Sequence, residues 1–203
     1  INDSQWHIYN SGEIPYPKEE DKFYQFKIAW QDGLSDNDST FFTYFPTEVN
    51  TQLPFLIHAT FELNQSRNDL LKGNKNQFLL QEIAMAIGEI AMTKIRKNGQ
   101  SDWKAFQFLE PINYNNNPKL NAFFEKLKEL QKELEIYPCV DGSYCKLEDA
   151  IFYGDKFSYW VIRNNVKGYF SNLLAPTDDF HIELDAGKEY SFKGWLQIIN
   201  QLN

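Results

Sequence analysis

The chain has 203 residues, of which 42% are hydrophobic and 16% aromatic, and it carries a formal net charge of −8. This composition excludes a disordered polypeptide and allows one or two domains with a substantial core. The acidic balance also argues against nucleic acid as a direct partner, because a surface that binds phosphates must be basic.

The sequence predicts neither a membrane segment nor a secretory leader. No run approaches the ~20 apolar residues that cross a bilayer, and no signal-type apolar region follows Ile1. Since the chain begins without Met, we expect an excised piece of a longer cytoplasmic protein that has no membrane partner.

Strands are predicted throughout the first third of the chain. Alternating or continuous apolar runs indicate them at residues 5–10, 22–30, 40–45 and 55–61. Pro46 is expected to end the third strand or to place it at an edge of the sheet. The fourth strand is apolar almost throughout, which is typical of a central strand covered on both faces. His58 lies within it, so we expect a core histidine rather than a catalytic or metal-binding one.

A polar segment, residues 64–69, follows the last of these strands. Within it, Arg67 is a natural ligand for an anion, since its guanidinium is always charged and is forked for phosphate or carboxylate. The backbone N–H groups of the helix that follows would add positive charge in the same place. The alternative is an ordinary surface arginine paired with Asp69 or Glu62.

Two helices and one break organise the middle of the chain. Apolar residues recur every three or four positions over residues 77–97 and 119–135, which predicts the helices. Between them, the Pro- and Asn-rich residues 111–118 predict a linker. We therefore predict an α/β (α+β) fold, with a mixed β-sheet backed by helices over residues 1–110 and a smaller α+β unit over residues 118–203.

A hairpin turn is predicted at Asp141 and Gly142, which lie between two short β-type runs. Cys139 and Cys145 flank this turn, but no histidine lies near them in sequence to complete a zinc site. We therefore expect two ordinary thiols and no bound metal. Beyond the hairpin, the sequence predicts strands at residues 157–162 and 181–184 and a helix at residues 191–202.

The polar segment also carries a resemblance to a known family. Residues 63–70, Leu-Asn-Gln-Ser-Arg-Asn-Asp-Leu, resemble the Leu-Asn-x-Ser-Arg-x-x-Leu loop in the middle domain of the ninety-kilodalton heat-shock chaperones. The longer stretch of residues 40–91 is similar to the sacsin-like branch of the GHKL ATPases. The chain departs from the chaperone pattern at Leu71, where those proteins usually carry a glutamine.

This resemblance implies a function in ATP hydrolysis. In that superfamily an N-terminal domain binds ATP with Mg²⁺, and the next domain lends a basic residue to the terminal phosphate. The resemblance implies that catalytic role for Arg67, and it implies that Asn64, Ser66 and Arg67 bind the nucleotide, with Asn64 also shaping the loop. The implied partners are a preceding N-terminal ATP-binding domain of the same polypeptide and protein clients. Because the chain has no Asp-x-Gly-x-Gly loop, we expect a GHKL middle module that does not hydrolyse ATP alone.

Two other classes of function remain open at this stage. The chain could be a non-catalytic protein-interaction module in which Arg67 is only structural. It could also be a small-molecule enzyme that uses His58 or His181 with nearby carboxylates, although no nucleophile elbow, metalloprotease helix or phosphate-binding glycine loop occurs.

Overall fold

The computed structural model describes residues 5–19, 21–31, 39–50, 53–110, 118–152, 172–175 and 188–189. The contacts divide the chain into two units, one of Ile1–Ile90 with Phe108–Lys128 and the other of Ala91–Gln107 with Glu129–Asn203. Each unit is therefore made of two separate segments of the chain, whereas the sequence suggested a single boundary between residues 110 and 118. Most of the predicted linker lies outside the described residues.

The first unit is built on a mixed, five-stranded β-sheet. Its strands and those of a small accompanying hairpin are β1 (His7–Asn10), β2 (Ile14–Pro15), β3 (Phe23–Tyr24), β4 (Phe26–Trp30), β5 (Thr40–Phe42), β6 (Pro46–Asn50) and β7 (Leu56–Ala59). The large sheet has the order β1-β4-β7-β5-β6, and β2 pairs with β3. Only β5 and β7 run parallel among the paired strands of this sheet in the described chain. The predicted mixed sheet is therefore confirmed.

Strand β4 shows why the alternating pattern folds as it does. Phe26, Ile28 and Trp30 are buried, whereas Lys27 between them is exposed. Successive side chains point to opposite faces of a strand, so a period of two buries one face only. The register continues this arrangement into β7, where Ile28 lies opposite the buried Ile57.

Strand β7 lies at the centre of the sheet, as predicted, but it is not covered on both faces. His58 is exposed and Leu56 is half-buried, whereas Ile57 and Ala59 are buried. His58 lies opposite Lys27 in the register, so the two share the exposed face. The prediction of a core histidine was therefore wrong. The apolar run misled it because only alternate residues, Phe55, Ile57 and Ala59, lie on the buried face, whereas Leu56 shares the other face with His58.

Pro46 begins a strand that the sequence did not predict. It is the first residue of β6, the edge strand next to β5. A proline has no N–H to donate, and the first position of an edge strand is one of the few sheet positions that does not need one. As predicted, the preceding strand β5 ends before Pro46, but the edge strand is β6, which was not predicted.

The first predicted helix is confirmed, with an unexpected end. Helix α1 spans Asn74–Ile90 and passes directly into a π-helical turn at Ala91–Ile95. In this turn the Arg96 N–H donates to the Ala91 carbonyl oxygen at 2.8 Å, a bond that spans five residues rather than four. The buried face of α1 includes Leu80, Ile83 and Ile87, as its spacing predicted.

An aromatic cluster fills the core of the first unit. Phe41 of β5 is fully buried and meets the ring of Phe61 edge-on, with centroids 4.9 Å apart. It also contacts Phe123, whose ring centroid lies 6.2 Å away. Phe123 belongs to the second predicted helix, which is confirmed and spans Asn121–Glu133; a short helix at Lys104–Gln107 precedes it. We label the short helix α2 and the long one α3. These edge-to-face contacts add to the burial of each ring.

The second unit contains the predicted hairpin. Besides the π-helical turn and α2, its described elements include β8 (Tyr137–Pro138), β9 (Tyr144–Cys145), a 3-10 turn (Leu147–Asp149), β10 (Ile151–Phe152) and β11 (Lys188–Glu189). The turn between β8 and β9 contains Gly142, whose φ is 88°. Its backbone touches another turn, because the Gly99 N–H donates to the Gly142 carbonyl oxygen at 3.0 Å. A Cβ atom on Gly142 would lie 2.9 Å from the carbonyl carbon of Gly99, so this position requires glycine.

Several predicted elements lie wholly or mainly outside the described residues. They are the strands at 157–162 and 181–184 with His181, and the helix at 191–202. Within the described part of the chain, no helix combines the length and apolar character that a bilayer crossing requires.

Candidate functional site

The segment that carries Arg67 folds back on itself as a narrow loop, which we call the Arg67 loop (residues 63–70). Leu63 and Leu70 form an isolated antiparallel bridge at its base. One step further out, the Asn64 N–H donates to the Asp69 carbonyl oxygen at 3.0 Å. Arg67 therefore lies at the tip of the loop rather than on an open strand-to-helix connection.

The side chain of Asn64 shapes this loop from within. Its Nδ2 donates to Asn68 Oδ1 at 2.9 Å. Its Oδ1 accepts the N–H groups of Asn68 at 3.2 Å and of Asp69 at 3.4 Å. An asparagine amide can bond to backbone two to five residues ahead, which makes it a frequent organiser of turns. The amide of Asn64 is thus occupied inside the loop.

The loop is also joined to the edge of the sheet. The Glu48 N–H in β6 donates to the Asn68 carbonyl oxygen at 2.8 Å. An edge strand offers unpaired backbone groups, and here one of them is used to hold the loop. This bond fixes the loop tip beside the outer strand of the sheet.

The backbone of Arg67 has an unusual conformation. Its φ is 60°, and it is the only non-glycine residue with positive φ in the described part of the chain. Its N–H donates to the Asn64 carbonyl oxygen at 3.0 Å, which closes the turn. A residue with a Cβ pays roughly 1 kcal/mol to adopt the left-handed region, and glycine is the usual solution. A costly backbone held by its surroundings is a reason to ask what the side chain does.

The guanidinium of Arg67 faces solvent, and the two carboxylates suggested as its partners are engaged elsewhere. Asp69 is ion-paired with Lys119. Glu62 lies 3.7 Å from the ammonium groups of both Lys22 and Lys75. Among the described residues, Arg67 is exposed and makes no side-chain hydrogen bond or ion pair. The predicted alternative, an arginine paired with Asp69 or Glu62, is therefore not what the structure contains.

The lysines that hold Glu62 form a small cluster with a second acid. Lys75 lies 3.0 Å from Glu19, and Lys22 lies 3.9 Å from the same carboxylate. The hydrogen bond from Lys75 is the main reason that the pKa of the Glu19 carboxyl is lower than usual. Because these groups are exposed, the pairs add little to stability. Because these lysines hold Glu62, its carboxylate does not occupy the guanidinium of Arg67, which stays available to an anionic ligand.

The strain at Arg67 can be measured by substitution. At position 67, we expect glycine to give a free energy of unfolding at least as large as that of arginine or alanine. Valine should give a smaller free energy of unfolding than alanine. The difference between Arg67→Gly and Arg67→Val should be about 1–2 kcal/mol, because glycine accepts positive φ and a β-branched residue does not. Urea denaturation followed by circular dichroism measures it. Equal stability of the glycine and valine variants would mean that the left-handed backbone is not present in solution.

The N-terminus of helix α1 lies at the base of the loop, not at its tip. Asn76, in the first turn of α1, is 3% exposed. Its Oδ1 accepts the Glu62 N–H at 2.9 Å, and its Nδ2 donates to the carbonyl oxygens of Glu62 at 2.8 Å and Leu71 at 2.9 Å. The Leu71 N–H in turn donates to Glu62. This corrects the expectation that the helix N-terminus and Arg67 share one place. The helix instead holds Glu62 and Leu71, the residues that flank the loop on its two sides.

Replacing Asn76 tests this anchoring. We expect Asn76→Ala to lower the free energy of unfolding by about 2 kcal/mol, because it removes the partners of the Glu62 N–H and the Leu71 carbonyl oxygen in a part-buried position. Gln77→Ala, an exposed position in the same helical turn, is the matched control and should change stability by less than ~0.5 kcal/mol. Chemical denaturation of the two variants compares them directly. A smaller loss for Asn76→Ala than for its control would contradict the anchoring.

The remaining residues predicted for the site differ in what they offer. Ser66 is exposed, and its Oγ donates to Asn68 Oδ1 at 2.6 Å. Leu71 is 46% exposed and supplies no polar group at the position where the chaperones have glutamine. Asn64, Ser66 and Arg67 thus lie in one loop, but only the guanidinium is free to meet a ligand there.

The prediction included Asn64, which shapes the loop, but missed other residues that hold it. Asn68 lies within the loop, Lys119 pairs with Asp69, and Asn76 bonds to the flanking Glu62 and Leu71; none of these three was among the predicted site residues. Asn68 and Asn76 carried a usable signal, since asparagine is favoured in turns and at helix starts. Lys119 carried none, because it lies about fifty positions from its partner Asp69 in the sequence.

The other candidate groups are dispersed. His58 is exposed on the sheet, and His181 lies outside the described residues. Within the ranges that the structure describes, no three His, Cys, Asp or Glu side chains converge as a metal site would require. Comparison with protein-family models, with curated proteins and with solved structures finds no match for this chain.

Proposed function

We propose that this chain is part of a larger ATP-dependent GHKL ATPase of the sacsin-like or chaperone-like kind, in which its first unit supplies Arg67 to the terminal phosphate of ATP. The nucleotide and its Mg²⁺ would be held mainly by a preceding N-terminal domain of the same polypeptide. The observation that carries the proposal is the state of Arg67: an exposed guanidinium, unpaired among the described residues, on a left-handed backbone.

The charge of the loop supports this proposal. A phosphate oxygen carries negative charge that a forked guanidinium can meet with two parallel hydrogen bonds. The local acids cannot compete, since Asp69 and Glu62 are held by lysines. A ligand brought from outside would therefore find the cation available without first breaking an ion pair.

The hydrogen bonds that hold the backbone of the loop support it as well. Catalysis by electrostatic stabilisation needs a charge that is already in position, so that no reorganisation is required when the reaction occurs. Asn64 holds the turn beneath Arg67, and Glu48 holds Asn68 beside it. In this proposal Asn64 and Ser66 position the arginine, and no second polar contact comes from Leu71.

The test uses the full-length protein with its ATP-binding domain. ATP turnover is measured for the unchanged protein and for Arg67→Ala, and the fold is checked by thermal unfolding. A large loss of turnover with an unchanged fold supports the proposal. Unchanged turnover rules out a role for Arg67 in hydrolysis.

A second candidate function is a non-catalytic protein-interaction module. Tyr44 and Phe45 favour it, because they are 96% and 69% exposed in the turn between β5 and β6. Large exposed aromatic side chains are frequent anchors in protein interfaces. The segment that precedes Ile1 in the parent gene distinguishes the two candidates. An Asp-x-Gly-x-Gly loop in it supports the ATPase, whereas a different domain supports the interaction module.

A further inference from the structure

The hairpin of the second unit places its two cysteines on one face. Tyr137 lies opposite Cys145 in the register, and the Cys139 N–H donates to the Ser143 carbonyl oxygen at 2.9 Å. Side chains alternate between the faces of a strand. Cys139 and Cys145 are therefore diagonal neighbours on the same side of the hairpin.

The two thiols lie on the same side of the hairpin in a buried position, and each alters the acidity of the other. The Cys139 thiol in turn lies 3.7 Å from the Tyr137 carbonyl oxygen, to which it donates. Both residues are free thiols, and Cys139 is 0% and Cys145 7% exposed.

The contact also separates the acidities of the two groups. The hydrogen bond from Cys145 lowers the pKa of the Cys139 thiol below its usual value, and this effect outweighs the opposing effect of burial. The same hydrogen bond, followed by burial, raises the pKa of the Cys145 thiol. Cys139 is therefore the better nucleophile of the pair, since the thiolate is the reactive form.

The backbone around the pair is held in place by its neighbours. The Ser101 hydroxyl donates to the Cys139 carbonyl oxygen. The Val140 N–H donates to Leu173 at 2.8 Å, and the Gly99 N–H donates to Gly142 at 3.0 Å. A hairpin fixed on several sides keeps its cysteines close without help from a covalent bond.

We propose that Cys139 and Cys145 form a reversible intramolecular disulfide, which makes this hairpin a redox-sensitive modification site for low-molecular-weight disulfides. The Cys139 thiolate attacks one sulfur of the oxidant, breaks its S–S bond and releases one thiolate. Cys145 then attacks the Cys139 sulfur of the mixed disulfide, and its proton passes to the second departing thiolate. Two protein thiols are oxidised, and one disulfide is reduced to two thiols.

Equilibration of the full chain with glutathione tests the proposal. The protein is incubated at increasing ratios of oxidised to reduced glutathione, quenched with acid, unfolded and alkylated, and its intact mass is measured. The same series is run in urea. Both thiols should be lost together, and the equilibrium constant for the disulfide should be at least about tenfold larger in the folded protein, because folding already holds the sulfur atoms together.

The equilibrium is approached both from the reduced and from the oxidised protein, because burial of the thiols slows thiol–disulfide exchange without changing its equilibrium constant. For the reverse direction the disulfide is formed in urea and the protein is then refolded. Three outcomes would overturn the proposal: a folded-state equilibrium constant no larger than that in urea, glutathione mixed disulfides as the final product, or failure of the oxidised chain to refold. The variants Cys139→Ser and Cys145→Ser, with one thiol each, should yield only mixed disulfides.

Discussion

Arg67→Ala is expected to lower the ATP turnover of the full-length protein by about 10³-fold, since a guanidinium that stabilises charge on a transferring phosphoryl group is worth that much or more. The thermal stability should not fall, because the side chain is exposed and makes no hydrogen bond or ion pair among the described residues. Steady-state turnover and a melting curve on the same preparation measure both quantities.

Two further variants separate the position of the charge from its presence. Arg67→Lys keeps the cation but loses the planar fork, so we expect an intermediate turnover. Lys72→Ala removes one exposed positive charge from the segment just beyond the loop, and we expect turnover within about twofold of normal because exposed charges act weakly at a distance. If Lys72→Ala and Arg67→Ala were equally impaired, the effect would come from net charge and not from a phosphate contact.

Phe41→Ala is expected to lower the free energy of unfolding by about 4 kcal/mol, the usual loss when a buried phenylalanine is truncated in a packed core. Phe41 is 0% exposed and contacts the rings of Phe61 and Phe123, so the cavity would open between the sheet and helix α3. Phe45→Ala is the matched control, since the same truncation four residues later removes a side chain that is 69% exposed.

Guanidinium denaturation of both variants gives the comparison. The control should lie within ~0.5 kcal/mol of the unchanged protein. A loss of less than about 1 kcal/mol for Phe41→Ala would contradict the packing of α3 against β5. A Phe41→Leu variant, expected to lose less because it leaves a smaller cavity, extends the comparison if the alanine variant is too unstable to purify.

The sheet could be predicted from the sequence where one physical pattern dominated. The alternation in β4 and the helical spacing in α1 and α3 each reflect burial of a single face, which local sequence records directly. The hairpin at Asp141 and Gly142 was predictable for the same reason, since its turn chemistry is local. The α+β class follows from these elements.

The two main misses in the sheet have different causes. His58 is exposed because the strand beside it places Lys27 opposite, and no local pattern states which face of a central strand is covered. Strand β6 exists because β5 pairs with it after a tight turn. The proline that suggested an end to the strand instead marked the beginning of the next one.

The sequence was enough to predict which residues belong to the candidate site, but not the conformation of the loop that carries them. The guanidinium chemistry of Arg67 is evident from the residue type alone. Its positive φ depends on the amide of Asn64 and on the base formed by Asn76, which only the folded chain brings together. The contact between Cys139 and Cys145 was partly accessible, because the predicted turn already fixes which residues of a hairpin share a side.

At Gly142 and Gly99 two main chains meet with no side chain between them. Tolerance to replacement at position 142 is therefore set by atomic radii and not by polarity, so that a methyl, a hydroxymethyl or a carboxylate would be rejected alike. An insertion that lengthens either turn but preserves this backbone contact should destabilise the protein less than replacing Gly142 by alanine.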